Sequence, residues 1–308
     1  MEHERKLVVT VPSTAVRDAL GAMEAVDVLE WDMAGPAPIQ DIDIVVPPYM
    51  GSLVHLAQLE GLNVGLVQSL SVGYDGVDQV LPAHMVFANA TSVHETSTGE
   101  LALALILAAQ RGIADFVRAA EHGTWAPAWH QSLADRTVVL VGYGGVNQAV
   151  EQRLLAFEVT IVRVAHSERD DERGHVFGLS SLNEQLSRAD IVVVGVPLTN
   201  ETKHLVDDAF LSAMPDGALL VNIARGPVAD TEALLDHARR GRLRLALDVT
   251  DPEPLPQGHE LFTLSNVLIS PHVGGATSAA LPRVARLLRE QIARIARGEE
   301  PRNIVLRT

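Results

Sequence analysis

The stretch Val138-Val139-Leu140-Val141-Gly142-Tyr143-Gly144-Gly145-Val146-Asn147 decides the fold of this chain. An unbroken apolar run reads as a buried parallel strand. It leads straight into Gly142-Tyr143-Gly144 and then into an amphipathic segment. In such a turn the first glycine permits the sharp bend, and the second lets the backbone come close to a pyrophosphate. The helix that follows offers free N–H groups and a positive dipole end. Strand, turn and helix in this order predict a dinucleotide site, with Gly142, Tyr143, Gly144, Gly145 and Val146 facing the cofactor. The third position of the fingerprint, ordinarily Gly or Ala, is Asn147. Its side chain is expected to crowd the packing of helix on strand. A lone G-x-G is weak evidence, so the flanking sequence has to carry the reading.

Downstream, short apolar runs at 160–164, 191–194, 218–222, 243–248 and 267–269 alternate with helical patterns at 146–156, 181–187, 207–212 and 231–240. Ser181 with Glu184 reads as a capping box, and Asp230 as the cap of the last of these helices. This alternation is the doubly wound pattern. Upstream, strands are predicted at 7–11, 44–46, 64–67 and 86–88, with Ser13 capping a helix that runs to about residue 20 and helical spacing at 53–59. A long helix over 96–111 has a centre too rich in Ala and Leu for a surface element, which places it between domains or in a dimer. The last helix, 281–297, follows the final strand of the second series and returns to the first unit, so that unit is discontinuous.

Bulk properties narrow the function. A chain of 308 residues, 47% hydrophobic and 4% aromatic, has the size and composition of a two-domain α/β protein. Its net charge of −15 disfavours a nucleic-acid backbone or an anionic membrane surface as partner. With no cysteine, disulfides, thiolate nucleophiles and Cys-bound metals are excluded. The apolar run 101–109 falls far short of the roughly 20 residues a membrane span needs. The polar N-terminus has no signal-peptide pattern, so a cytoplasmic location is expected.

Three clusters lie just past strand ends of the second series, where open α/β sheets bind ligands. In Asn222-Ile223-Ala224-Arg225-Gly226-Pro227, the guanidinium of Arg225 can grip a carboxylate with two parallel hydrogen bonds. In Asp248-Val249-Thr250-Asp251-Pro252-Glu253-Pro254, prolines on both sides fix the backbone of Glu253. In Ser270-Pro271-His272-Val273-Gly274-Gly275, a histidine sits on a rigid, close-approach turn. A carboxylate beside an imidazole favours its protonated form and suits it to proton donation.

Arg, Glu and His in this order, after a G-x-G turn, resemble the D-isomer-specific 2-hydroxyacid dehydrogenase family, over nearly the whole chain. Ser71-Val72-Gly73-Tyr74-Asp75-Gly76-Val77-Asp78 looks like its substrate-carboxylate loop, with Val72 and Gly73 as the substrate contacts and Asp75 and Asp78 forming the turn. Val196-Pro197-Leu198-Thr199 with Thr202 looks like its loop beside the adenine and ribose. The resemblance implies that Arg225 holds the substrate carboxyl and oxo groups, that Glu253 orients His272, and that His272 moves the hydroxyl proton. It adds Val196, Pro197, Thr202, Ala224, Asp248 and Gly274 to the residues expected to face the cofactor. It also implies two Rossmann-like doubly wound domains, a dinucleotide-binding domain (96–277) inserted in a substrate domain (1–95 with 278–308). The expected activity is hydride transfer between NAD(P) and C2 of a small 2-hydroxyacid or 2-oxoacid, without a metal. A dinucleotide-sensing corepressor or scaffold is the alternative on the same fold.

Cofactor choice turns on an absence. About 20 residues past the turn, NAD-binding relatives place an acid on the ribose hydroxyls. Here the strand ends in Val164-Ala165-His166-Ser167, and His166, Ser167 and Arg169 can receive a 2′-phosphate instead. NADP is therefore expected at least as much as NAD, with Glu168, Asp170 and Asp171 as a counterweight. Tyr49 and Met50, after Pro47-Pro48, suit either a substrate pocket or packing. His94 reads as structural, Trp125 and Trp129 as packing anchors, and 170–173 as a solvated loop. The 101–109 stretch is expected to form a twofold homodimer.

Overall fold

The computed structural model describes residues 5–51 and 53–308. Among these residues the strands are β1 (Leu7–Val11), β2 (Val26–Glu30), β3 (Asp41–Val45), β4 (Asn63–Gln68), β5 (Val86–Ala88), β6 (Thr137–Val141), β7 (Thr160–Val164), β8 (Arg169–Asp171), β9 (Gly174–Phe177), β10 (Ile191–Val194), β11 (Leu219–Asn222), β12 (Arg244–Leu247), β13 (Val267–Ile269) and β14 (Ile304–Arg307). The helices are α1 (Thr14–Leu20), α2 (Glu95–Arg111), α3 (Ile113–Glu121), α4 (Gly145–Leu154), α5 (Leu182–Leu186), α6 (Asp208–Ala213), α7 (Thr231–Arg239) and α8 (Ala280–Ala296). The chain divides into two compact units, one of residues 1–94 with 277–308 and one of residues 95–276.

In the first unit the sheet order is β14-β5-β4-β3-β1-β2. All its pairs are parallel except β14 with β5. On one side Val9, Val11 and Leu66 pack on Val16 and Leu20 of α1 and on Val284, Leu288 and Ile292 of α8. The last helix thus returns to the first unit, as its position in the sequence suggests, and Arg289 fastens it to the carbonyls of Ala19 and Leu20.

The second unit carries the order β13-β12-β11-β10-β6-β7-β9-β8. Chain order reverses between β6 and β10, the switch point at which doubly wound sheets bind ligands. The two faces of β6 explain its unbroken apolar run. Val138 and Leu140 pack beneath α2 and α4, whereas Val139 and Val141 pack toward α5, α6 and α7. A Cβ added to Gly99 of α2 would lie about 3.0 Å from the backbone of Ala149 in α4, so that glycine lets the two helices close up. The two doubly wound α/β units match the fold read from the sequence.

Several local expectations need correction. Strands β2 and β14 lie on sheet edges, where half-exposed residues weaken the apolar signal. Residues 53–59 form a 3-10 helix. Ser181 makes no side-chain cap, because its backbone is already helical at φ −94° and ψ −1°. Ser13 and Asp230 do cap, accepting from Val16 and from Glu232 and Ala233. The 170–173 run is exposed throughout, as expected, but Asp170 and Asp171 belong to β8 and only Glu172 and Arg173 form the turn to β9. Trp125 and Trp129 are 94% and 103% exposed and anchor nothing within the chain. No helix among the described residues is long and apolar enough to cross a membrane.

Candidate active site and dinucleotide cradle

Strands β11, β12 and β13 are parallel neighbours, so their C-terminal ends deliver Arg225, Glu253 and His272 from adjacent positions at one sheet edge. The turn carrying His272 is held by Asp248, itself only 3% exposed. One oxygen of Asp248 accepts the Ser270 hydroxyl at 2.6 Å and the Val273 N–H at 3.0 Å. The other accepts the Gly274 N–H at 3.0 Å. The Asp248 carbonyl accepts the His272 N–H at 2.7 Å. These bonds hold His272 at φ +51°, a left-handed conformation that costs a non-glycine residue about 1–3 kcal/mol. Its Nδ1 lies 2.5 Å from Glu253 Oε1, which assigns the Nδ1 proton to the carboxylate side and leaves Nε2 as the second ring nitrogen.

Arg225 leaves β11 through an Asn222 turn. The Asn222 side chain accepts from Ala224 N at 3.0 Å and donates to the Arg225 carbonyl at 3.2 Å. The Arg225 guanidinium donates to the Ala224 carbonyl at 2.7 Å. Gly226 is required here, since a Cβ would lie 1.8 Å from the Thr250 carbonyl oxygen.

The cradle at the switch point fits a dinucleotide. Gly142 has φ +85°, and a Cβ there would strike Gly195 and Val196 at the end of β10. At Gly144 a Cβ would project into open space, which is the room a pyrophosphate needs against the backbone. No side chain caps the N-terminus of α4. Thr202 donates to the Pro197 carbonyl at 2.6 Å and so shapes the 196–202 loop. Ala165 ends β7, and His166 and Ser167 follow on an exposed bend. Arg169 reaches back from β8 to donate to the Tyr143 carbonyl at 3.3 Å.

Asn147 does not crowd the turn as its size suggests. It is fully buried and donates to the carbonyls of Val141 at 3.1 Å and Gly142 at 2.6 Å. Gly195 makes the room, since a Cβ there would lie 2.8 Å from the Asn147 nitrogen.

In the first unit, Asn89 donates to the Val72 carbonyl at 2.8 Å and Ser69 Oγ accepts from Ser71 N at 3.0 Å, which shapes the loop containing Val72 and Gly73. Met50 lines a cavity of about 240 Å³ with Pro48, Leu56, Gly73 and Tyr74. The ring of Tyr49 lies beside that of buried His94, centroids 5.3 Å apart and tilted by 32°. Away from these sites, His237 Nδ1 accepts from Arg242 at 2.8 Å, so its Nε2 donates to Asp208. That donated proton occupies the nitrogen a metal would need in the Asp208, Asp236 and His237 group.

Asn89, Glu151, Arg163 and Arg173 escaped the sequence reading. Asn89 directly follows an apolar strand, which is a usable signal. The other three meet only through the fold.

The family model described as D-isomer specific 2-hydroxyacid dehydrogenase, NAD binding domain, matches residues 103–274. The chain belongs to this family. A glyoxylate reductase of Thermococcus onnurineus is 36% identical over 257 residues, covering 79% of this chain and 76% of the relative. One of Pyrococcus furiosus is 32% identical over 282 residues, covering 87% and 83%. The crystal structure of a D-isomer specific 2-hydroxyacid dehydrogenase from Xanthobacter autotrophicus, in complex with NADPH and MES, superposes with a TM-score of 0.82 at 28% identity, covering 98% of each chain. The family, the two-unit α/β fold and NAD(P)-linked oxidoreduction of hydroxyacids and oxoacids agree with the sequence reading. Nothing in the fold or among these relatives favours the corepressor or scaffold alternative.

Proposed function

We propose that this enzyme reduces small 2-oxoacids, glyoxylate and its near homologues, with NADPH serving at least as well as NADH. The observation that carries the chemical reading is the 2.5 Å contact of Glu253 with His272 Nδ1, on a turn fixed by Asp248. A nicotinamide held by this cradle would supply the hydride for C2 of the oxoacid and accept it from the hydroxyacid. Arg225 holds the substrate carboxylate and oxo oxygen through its planar donors. Glu253 accepts the Nδ1 proton, orients the ring and balances an imidazolium charge. His272 Nε2 gives its proton to the oxo oxygen as that oxygen becomes a hydroxyl, and recovers it in the reverse direction. In the first unit, Val72, Gly73, Tyr49 and Met50 are the proposed substrate contacts. Asp248 and Gly274 meet the nicotinamide end. Gly142, Tyr143, Gly144, Gly145 and Val146 meet the pyrophosphate, while Val196, Pro197, Thr202 and Ala224 line the rest of the cofactor. Glyoxylate reductases at 36% and 32% identity support the small substrate.

The use of NADPH is supported by charge placement. No carboxylate stands at Ala165, and His166, Ser167 and Arg169 follow it. Successive strand residues face opposite sides. In the β8–β9 hairpin Arg169 pairs with Val176 and Asp170 with His175, so Arg169 and Asp170 point apart. Asp170 and Glu168 both lie against the His175 ring, at 2.9 and 3.4 Å. Asp171 accepts from Arg173 N at 2.8 Å. The acids that weigh against a 2′-phosphate are thus engaged elsewhere. A relative at 28% identity is itself in complex with NADPH.

The test is steady-state kinetics on a panel of 2-oxoacids with each cofactor. We expect kcat/KM with NADPH at least equal to that with NADH, and a shift toward NADH in Ala165→Asp. A clear NADH preference in the unmutated enzyme would sink the cofactor assignment, and no turnover of any 2-oxoacid would sink the activity. The same reading places the enzyme in the cytoplasm, where reduced dinucleotide is supplied, as a twofold homodimer joined through α2 and its neighbours.

A further inference from the structure

Beneath the glycine turn lies a polar cluster that the proposed chemistry does not use. Glu151 is a carboxylate on α4, 1% exposed. Its Oε1 accepts from Arg163 of β7, with Nε at 2.8 Å and Nη2 closer still. Its Oε2 accepts the Tyr143 hydroxyl and, at 3.3 Å, Arg173 from the β8–β9 hairpin. Arg173 also donates to the Gln148 carbonyl at 3.5 Å. The ring of Tyr143 has Arg163 at 5.6 Å and Arg169 at 6.0 Å from its centroid. Three guanidinium groups therefore surround one carboxylate and one aromatic ring, at the middle residue of G-x-G.

A buried ion pair is weak evidence for stability, because desolvating the charges offsets much of their attraction. Its better-attested use is to fix one arrangement among several. Here the arrangement is that of the hairpin. Only a short stretch of β9 pairs with β7, Arg163 with Val176 and Val164 with Phe177. Every residue of β8 is exposed. The second attachment is polar, with Arg173 bonded to α4 and Arg169 to the Tyr143 carbonyl. Both ends of that attachment depend on Glu151, which holds Arg173 directly and Tyr143 through its hydroxyl.

We propose that Glu151 is a positioning residue for dinucleotide choice: by clamping Arg173, Arg163 and Tyr143 together it holds the 169–177 hairpin against the glycine turn, so that Arg169 meets a 2′-phosphate. The inference rests on the NADPH reading above and deepens it. It makes a residue remote from the phosphate decide between the two cofactors, while Arg169 makes the contact.

The experiment is calorimetric binding of 2′,5′-ADP and of 5′-AMP to the full chain, which needs no turnover. The unmutated protein is expected to bind 2′,5′-ADP at least about tenfold tighter, the equivalent of one charge-assisted contact. Glu151→Gln should lose most of that ratio while 5′-AMP affinity stays within about twofold. Glu151→Gln leaves Arg163 without its carboxylate, so Arg173→Met serves beside it. That variant keeps the Glu151–Arg163 pair and removes only the arm to the hairpin, and it should lower the ratio in the same direction. If the unmutated protein does not discriminate, the 2′-phosphate reading itself falls. If it discriminates and both variants keep its ratio, the clamp is overturned and the reading stands. Equal weakening of both ligands with a lower Tm would assign Glu151 a merely structural role and overturn the clamp as well.

Discussion

At the scale of single residues, His272 is the most exposed to test. It is a non-glycine residue at φ +51°, on a turn held by four separate bonds to Asp248, with its Nδ1 taken by Glu253. A turn maintained at that cost is expected where a side chain must be aimed. His272→Asn removes the group proposed to move the proton but keeps a residue that tolerates left-handed backbone. We expect kcat for 2-oxoacid reduction to fall by about 10²–10⁴-fold, the usual worth of general acid catalysis, with NADPH affinity nearly unchanged. Fluorescence titration of the cofactor beside steady-state kinetics separates the two, and a variant that turns over at the original rate would show that another group supplies the proton. The type and order of Arg225, Glu253 and His272 were legible because each sits in a short motif at a strand end. The bonds from Asp248 to Ser270, Val273 and Gly274 were not, since they join positions more than twenty residues apart.

At the scale of elements, α4 shows how a departure from the fingerprint is absorbed. Asn147 takes the place of a small residue, yet its amide bonds two carbonyls of the strand-to-turn segment, and Gly195 on the neighbouring strand clears the space. Asn147→Ala should leave the Gly142 carbonyl without that partner and destabilise the protein by about 1–3 kcal/mol. Urea unfolding followed by circular dichroism reads this as a lower midpoint at unchanged slope, and an unchanged midpoint would mean that the amide bonds add nothing. The sequence pointed to a clash because it shows only one side of the contact. The hairpin β8–β9 was missed for a related reason. Its strands are short and charged, and what makes them a hairpin is pairing with β7 and the tie of Arg173 to Glu151.

At the scale of the whole molecule, the segment that follows α2 exposes several large apolar side chains. Ile113, Phe116 and Val117 of α3 are exposed, as are Trp125 and Trp129 just beyond it. Large apolar side chains gathered on one stretch of surface mark an interaction site. We expect light scattering at micromolar concentration to give twice the chain mass, and Trp125→Ser with Trp129→Ser to shift that value toward the monomer; a stable monomer of the unmutated chain would remove the homodimer. By itself the sequence determined the alternating α/β layout, the return of the last helix to the first unit and the family, since buried strands, glycine turns and strand-end motifs are local patterns of residue type. Only the tertiary structure decided how Asn147 is accommodated, which acids face away from Arg169, and that Glu151 gathers Tyr143, Arg163 and Arg173. Those depend on which side of a strand or helix a residue faces and on what a distant segment brings to meet it, and a linear pattern fixes neither.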